Sequence, residues 1–436
     1  MMAFWPQYRL FALLLVIHTG SQIYTHASHS SNRIRSIQTV TQWNQLEYAF
    51  PTAQDVINAL TTGELLPDNG TPIDVQPQYL PNGLVRIFTS IPRFLGGIPF
   101  TLATVSSKFG DNGPLLQPYP SLDWHNKNGE NCDQITSAFR VTINECNQMW
   151  VLDSGVIGRD QVCPPQLLLF NLGDDRLLHR FRFPNTTYVP GGSLLIAPSL
   201  LVRDPPPHGQ CEHTMIYIAD VSNHGLVIYD QYEDVAWRAE HRFMYPDPDY
   251  GLHTIAGESF TLMDGIFTVN NDKRNLYFHP LASRSEYSVP LSVLNNASHW
   301  VGSVDAMQDQ FVQIGKRNSE CTASAMDSRY NLYCVTLNPV ELIVWNVNTR
   351  YNPRNFAVLP ANPKDLQFVS GMKVVRNAEG HEELWLFSNR FQKVAAGTLT
   401  AEEVNFRILR RQLDDVQSGA FFPHYDIDYD DYGNRL

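Results

Sequence analysis

The sequence has no cluster of lysine and arginine, no apolar run long enough to cross a membrane, and little helical periodicity. Each absence removes a class of function. With a formal charge of −12 and no basic cluster, neither a nucleic acid nor an anionic membrane is an expected partner. The stretch Leu10 to Ile17 is apolar for only eight residues, whereas a bilayer-spanning helix needs about 20. One positive charge, Arg9, precedes it and small residues follow, which is the anatomy of a secretory signal peptide over residues 1–27. Thr25 and Ala27 place cleavage after Ala27, and losing Arg9 would take the charge to −13. The expectation is a secreted, extracellular protein with no membrane segment.

Catalytic signatures are missing as well. The chain contains no G-x-S-x-G, H-E-x-x-H, G-x-G-x-x-G or P-loop. HGQCEH offers His208, Cys211 and His213 as a metal set, but a cysteine in a secreted chain is more often disulfide-bonded, so no metal and no cofactor is expected. HYDIDYDDYGNRL (424–436) spaces Asp426, Asp428 and Asp430 as a calcium loop does, yet Asp431 stands where that loop needs glycine. Residues 411–436 therefore read as a solvated, mobile acidic tail. His224, His253 and His299 fall in turn-like stretches where imidazole could shuttle protons, although with 14 histidines a structural or surface role is the simpler account of any one.

Six cysteines are present, Cys132, Cys146, Cys163, Cys211, Cys321 and Cys334, an even count that favours disulfides and leaves connectivity open. Sequons begin at Asn69, Asn185 and Asn296, as glycosylated secreted chains have them. The stronger signal is a repeat. RIFTSI, MWVLDS, IYIADV, LYFHPL, LYCVTL and LWLFSN each set an aromatic among β-formers, and the anchors Phe88, Trp150, Tyr217, Tyr277, Tyr333 and Trp385 are 62, 67, 60, 56 and 52 residues apart. After four anchors come a second apolar strand, a polar turn and a third strand, two of them ending in HRFRFP and HRFMYP. Six copies of a four-stranded unit predict an all-β chain, a six-bladed β-propeller over 85–410, with each blade burying its faces on its neighbours. Residues 28–84 read as an N-terminal lead-in whose stretch 49–66 alone has helical spacing. In NECNQMWVLDSG (144–155), Trp150 is then a packing residue, Cys146 a bridged cysteine, and Asp153 the counterpart of Asp220 at the end of an equivalent strand.

IPRFLGGIPFTLATV (91–105), ITSAFRVTINECNQMWVLDSG (135–155), CPPQLLLFNL (163–172), IYIADVSNHGLVIYD (216–230) and ELWLFSNRF (383–391) together resemble the major royal jelly protein and yellow family of insects, from about Trp43 to Asn405. The resemblance implies a secreted propeller active in cuticle pigmentation, melanin chemistry or the binding of small amines. It also implies a ligand site in the central channel, on Asn389 and Phe391 of SNRF and on Ser370 of FVSGM, where an amide accepts from an ammonium and a ring stacks on an aromatic. The segments DGIFTVNNDKRNLYFHP (264–280) and RNSECTASAMDSRYNLYCVTL (317–337) depart from the family's usual pattern, and the 13-residue spacing of Cys321 and Cys334 suits a bridge between neighbouring strands or a strand and a loop.

Four functions stay open at this point. The first is a binder of a small aromatic amine or catechol. The second is a dopachrome-converting tautomerase, whose proton transfers would fall to Asp153, Asp220 or His224. Six-bladed propellers also host calcium-dependent lactonases, by fold analogy alone and with no matching ligand set here. A structural or signalling protein of the cuticle is the fourth, and the sequence leaves oligomeric state undetermined.

Overall fold

The computed structural model describes residues 25–26, 36–419 and 421–422. Residues 1–24, the expected cleavage point after Ala27 and the acidic stretch 424–436 lie outside them.

The six anchor aromatics all lie on second strands: Leu84–Ser90, Gln148–Asp153, Thr214–Asp220, Asn275–Pro280, Glu382–Ser388 and, in the fifth unit, Asn331–Thr336. These strands sit inside antiparallel sheets of four strands, the first of which also carries the two-residue strand Thr25–His26 beside Leu84–Ser90, and they are covered on both faces, which is why they read as nearly continuous apolar runs. Thr214–Asp220 is buried at every position, whereas every residue of the outer strand Arg176–Arg182 is exposed or half-buried. The sheets form six blades. Their innermost strands are Asp74–Tyr79, Ala138–Ile143, Leu195–Val202, Ile266–Asn271, Cys321–Met326 and Val369–Arg376, and they pack side by side around a central channel.

The anchors hold adjacent blades together. Trp150 meets Tyr229 of the next blade at 6.0 Å, and Tyr277 meets Trp345 at 6.0 Å. Trp385 of blade 6 shares a buried cluster with Val75, Val85 and Ile87 of blade 1, so the apolar packing runs across the ring's seam.

The ring is closed by the N-terminal segment. Gln38–Trp43 pairs antiparallel with Phe406–Gln412 as the outermost strand of blade 6. This corrects the reading of 28–84 as a lead-in, because that stretch supplies two strands, Gln38–Trp43 and Asp74–Tyr79. It also moves the start of the tail: the last strand continues to Gln412 and the short helix Asp414–Gln417 buries Val416. Between the two early strands lies the expected helix, Ala53–Thr62, started by a Thr52/Asp55 capping box and stopped by Gly63 in the left-handed region.

All six cysteines are bridged: Cys132 to Cys163, Cys146 to Cys211, and Cys321 to Cys334. The last pair joins neighbouring strands of blade 5, and the second ties blade 2 to blade 3. With Cys211 in a bridge, HGQCEH offers no thiolate to a metal. Asn185 and Asn296 lie exposed, while the Asn69 side chain donates to the Gly96 carbonyl at 2.7 Å. Among the described residues no helix is long and apolar enough to cross a membrane.

Candidate functional site at one end of the channel

Each blade presents two loop sets at one end of the ring: the connection between its second and third strands and the crossover to the next blade. Several polar side chains from these loops and from the adjoining strand ends converge at the channel. Ser370 is the second residue of the inner strand of blade 6 and Asn389 follows that blade's second strand. Asn389 donates to the Ser370 hydroxyl and to the Pro72 carbonyl, both at 3.1 Å, and Ser370 donates to the Ile73 carbonyl at 2.9 Å. Asn389 Oδ1 is buried with no hydrogen bond.

Phe391 opens the helix Phe391–Ala396 and lies 5.0 Å from Phe368 and 5.9 Å from Phe260. Phe267, on the inner strand of blade 4, extends this wall toward Arg140, whose guanidinium lies 5.3 Å from its ring. The sequence-derived trio is thus brought together: Asn389 and Ser370 touch, and Phe391 belongs to the adjoining aromatic wall.

Arg140 crosses the channel. From blade 2 it donates to the Ile196 carbonyl of blade 3 at 3.0 Å and to the Ser370 carbonyl of blade 6 at 2.7 Å. Lys373 and Asp74 pair at 3.4 Å alongside, and Asp74 Oδ2 also accepts from the Val141 amide at 3.0 Å while Oδ1 has no partner. Burial lowers the pKa of both Arg140 and Lys373, with Asp74 opposing the shift in each case. Gly371 lets the inner strands of blades 6 and 1 approach this closely, since a Cβ there would lie 2.7 Å from the Ile73 carbonyl oxygen.

Asp264 completes the cup, two residues before the inner strand of blade 4. It is partly exposed, and among the described residues its carboxylate makes no hydrogen bond. Burial raises its pKa to about 7, and the Arg140 charge limits the rise. Its backbone is fixed: Ala282 donates to the Asp264 carbonyl at 3.2 Å, and the neighbouring Gly265 amide donates to the Val221 carbonyl at 3.1 Å. A Cβ on Gly265 would come within 2.3 Å of His224 Nδ1, so only glycine allows this passage.

The proton-transfer candidates occupy other places. Asp153 is fully buried and accepts from the amides of Thr136, Ser137 and Gly155 and from the Gln166 side chain. Asp220, its counterpart, accepts from the Leu194 and Asn223 amides, the Ser193 hydroxyl and Arg238. Each carboxylate therefore fastens the approach to its own blade's inner strand, and its acceptor capacity is used internally. His224 is held by the Val221 carbonyl at 3.1 Å and by the Tyr245 ring at 4.7 Å, with burial lowering its pKa. His253 is buried and bonded to the Leu262 carbonyl at 2.9 Å, whereas His299 lies at the opposite end of the ring beside Asn296.

Over the cup reaches a hairpin, Leu252–Ile255 with Glu258–Thr261, from the long crossover between blades 3 and 4. It carries Phe260 into the aromatic wall. Glu258 pairs with Lys393 of the blade-6 helix at 2.7 Å and accepts from the Thr398 hydroxyl, and Lys393 and Arg390 both pair with Glu403.

Sequence reasoning missed Asp264, Arg140, Asp74 and the phenylalanines at 260, 267 and 368. One signal was available: Asp264 is the first residue of the segment noted for departing from the family's usual pattern.

The architecture defines a six-bladed propeller protein with an aromatic, acceptor-rich cup at one end of its channel. The profile of the family described as "Major royal jelly protein" matches residues 136–421. Major royal jelly protein 9 of Apis mellifera is 30% identical over 422 residues, covering 94% of this chain and 95% of its own. Dopaminechrome tautomerase of Drosophila melanogaster is 28% identical, covering 90% and 86%, and Protein yellow of Drosophila yakuba is 30% identical, covering 85% and 68%. The chain belongs to the major royal jelly protein family.

Proposed function

We propose that the protein is a secreted member of this family with a role in pigmentation, and that its channel cup binds a small aromatic amine or a catechol derivative. The observation that carries this reading is a surplus of acceptors beside an aromatic wall. Asp74 Oδ1 and Asn389 Oδ1 are buried without donors, and the partly exposed Asp264 carboxylate accepts no hydrogen bond among the described residues, on the side of the ring that carries Phe267, Phe368 and Phe391. Buried acceptors without partners are costly, and an ammonium or catechol hydroxyl would satisfy them while the ring packs on phenylalanine. The disulfides and the signal-peptide anatomy support export.

Calorimetric titration with dopamine, serotonin and octopamine tests the reading. Binding of at least one is expected, with Phe391→Ala weakening it about tenfold through loss of a ring contact of roughly 1.4 kcal/mol. No heat with any of the three would sink it. A second reading, a tautomerase, is favoured by one observation: a carboxylate in the cup that is free of internal hydrogen bonds and titrates near neutrality. The named tautomerase among the relatives supports it too.

A further inference from the structure

We propose that Asp264 is the catalytic acid–base residue of this channel, acting on a cyclised catecholamine quinone seated against the phenylalanine wall. The inference rests on the binding and tautomerase readings above and assigns the proton transfers to one residue.

Geometry separates Asp264 from the other carboxylates near the channel. Asp153 and Asp220 each accept four hydrogen bonds from their own blade and its loops, so neither can take a proton without giving up one of them. Asp74 is fully buried, tied to the Val141 amide and paired with Lys373. Asp264 alone combines partial exposure, a fixed backbone and a side chain unengaged by hydrogen bonds among the described residues. A general base has to be within reach of the proton it removes and has to release it again, and only this carboxylate is free to do both.

The chemistry needs no other reagent. In an indoline quinone the saturated ring carbons bear protons acidified by conjugation with the quinone. The Asp264 carboxylate removes one, the C–H electron pair becomes a ring double bond, and a quinone oxygen takes up a proton as its C=O becomes C–OH. Repeating the transfer at the neighbouring carbon gives the aromatic dihydroxyindole. Substrate and product are isomers, so nothing is oxidised or reduced from outside. Negative charge accumulates on the quinone oxygens during the step, and the Arg140 guanidinium on the floor of the cup stabilises it.

Arg140 from blade 2 is the charge that acts on this carboxylate, and Asp74, itself paired with Lys373, acts on the same guanidinium; His224 of blade 3 stands beside Gly265, the next residue, and His253 of the hairpin is bonded to the Leu262 carbonyl. Both histidines are pushed below their ordinary value of 6.5 by burial. A kinetic pKa near 7 therefore points to the carboxylate.

The test follows conversion of dopaminechrome by the purified full chain, with 5-hydroxyindole as an uncharged, non-reacting probe of cup occupancy in thermal-shift measurements. Expected are turnover above buffer that rises through a pH of about 7, and an Asp264→Asn variant that loses about a hundredfold or more in rate while 5-hydroxyindole still raises its melting temperature. Asp264→Glu should recover part of the rate, which a purely structural role would not produce. Undiminished turnover in Asp264→Asn would overturn the assignment. So would a wild-type protein that binds 5-hydroxyindole and the amines but converts nothing, an outcome that leaves the binding reading standing. Neither binding nor conversion would overturn both.

Discussion

Replacing Asp264 with asparagine should stabilise the protein, and the gain should grow with pH. In the unfolded chain the carboxyl ionises near its ordinary value of 3.8, whereas in the fold burial holds it protonated up to about 7. A group whose acid form is favoured by folding contributes stability at low pH and loses it as pH rises through the interval between those values. The interval is about three pKa units, which at 1.36 kcal/mol per unit sets a ceiling of about 4 kcal/mol. Partial exposure of Asp264 to solvent in the cup reduces this to about 2 kcal/mol. Asparagine mimics the protonated acid, so the variant should match wild type at about pH 4 and exceed it by about 2 kcal/mol at about pH 8. Urea unfolding of both proteins across that range, with disulfides intact and slopes compared as well as midpoints, reads the difference directly. A variant less stable than wild type at the higher pH would show that the Arg140 attraction outweighs burial. The carboxylate would then be ionised throughout this range, and the rise in turnover expected near pH 7 would fall with the prediction.

Three other perturbations probe the scaffold around the cup. Replacing both Cys146 and Cys211 with serine opens a bridge spanning 65 residues, and chain-entropy arithmetic gives a loss of about 4 kcal/mol, measurable by denaturation of the non-reduced proteins. Trp43→Ala removes a side chain that is 1% exposed, donates to the Pro114 carbonyl and stacks on Phe387. It should cost about 3 to 5 kcal/mol, and a loss below about 1 kcal/mol would mean that the closing strand adds little to the ring. Glu258→Gln weakens the hairpin's attachment to Lys393 and Thr398. Amide exchange within 252–261 should accelerate while the melting temperature stays put, and unchanged exchange would show that Phe260 alone holds the hairpin down.

What could be read from the sequence followed burial. Second strands covered on both faces, such as IYIAD around Tyr217, show as apolar runs with an aromatic, and their spacing gave the number of blades. Outer strands carry mostly exposed and half-buried residues and blur into loops, and Gln38–Trp43 is harder still because its partner lies more than 360 residues away. The paired histories of Asp153 and Asp220 show the same limit at the site. Their equivalence was visible from strand position, but their use as fasteners for backbone amides depends on loops that no local pattern encodes. Ser370 and Asn389 were named through resemblance, and the structure places them in contact. Asp264, Arg140 and the phenylalanine wall come from five different blades and connections, so their convergence is a property of ring closure and not of any one motif.

The strand Gln38–Trp43 sets an order of events during synthesis. Blades 1 to 5 can assemble as they leave the ribosome, but blade 6 lacks its outer strand until residue 412 has emerged and the beginning of the chain returns to meet it. Up to that moment the newborn protein is an open arc with two exposed sheet faces, one at blade 1 and one at blade 6, and the cup does not exist. Docking of six residues near the start of the chain converts the arc into a ring in one late step, which makes the amino-terminal end the part a chaperone would most usefully guard.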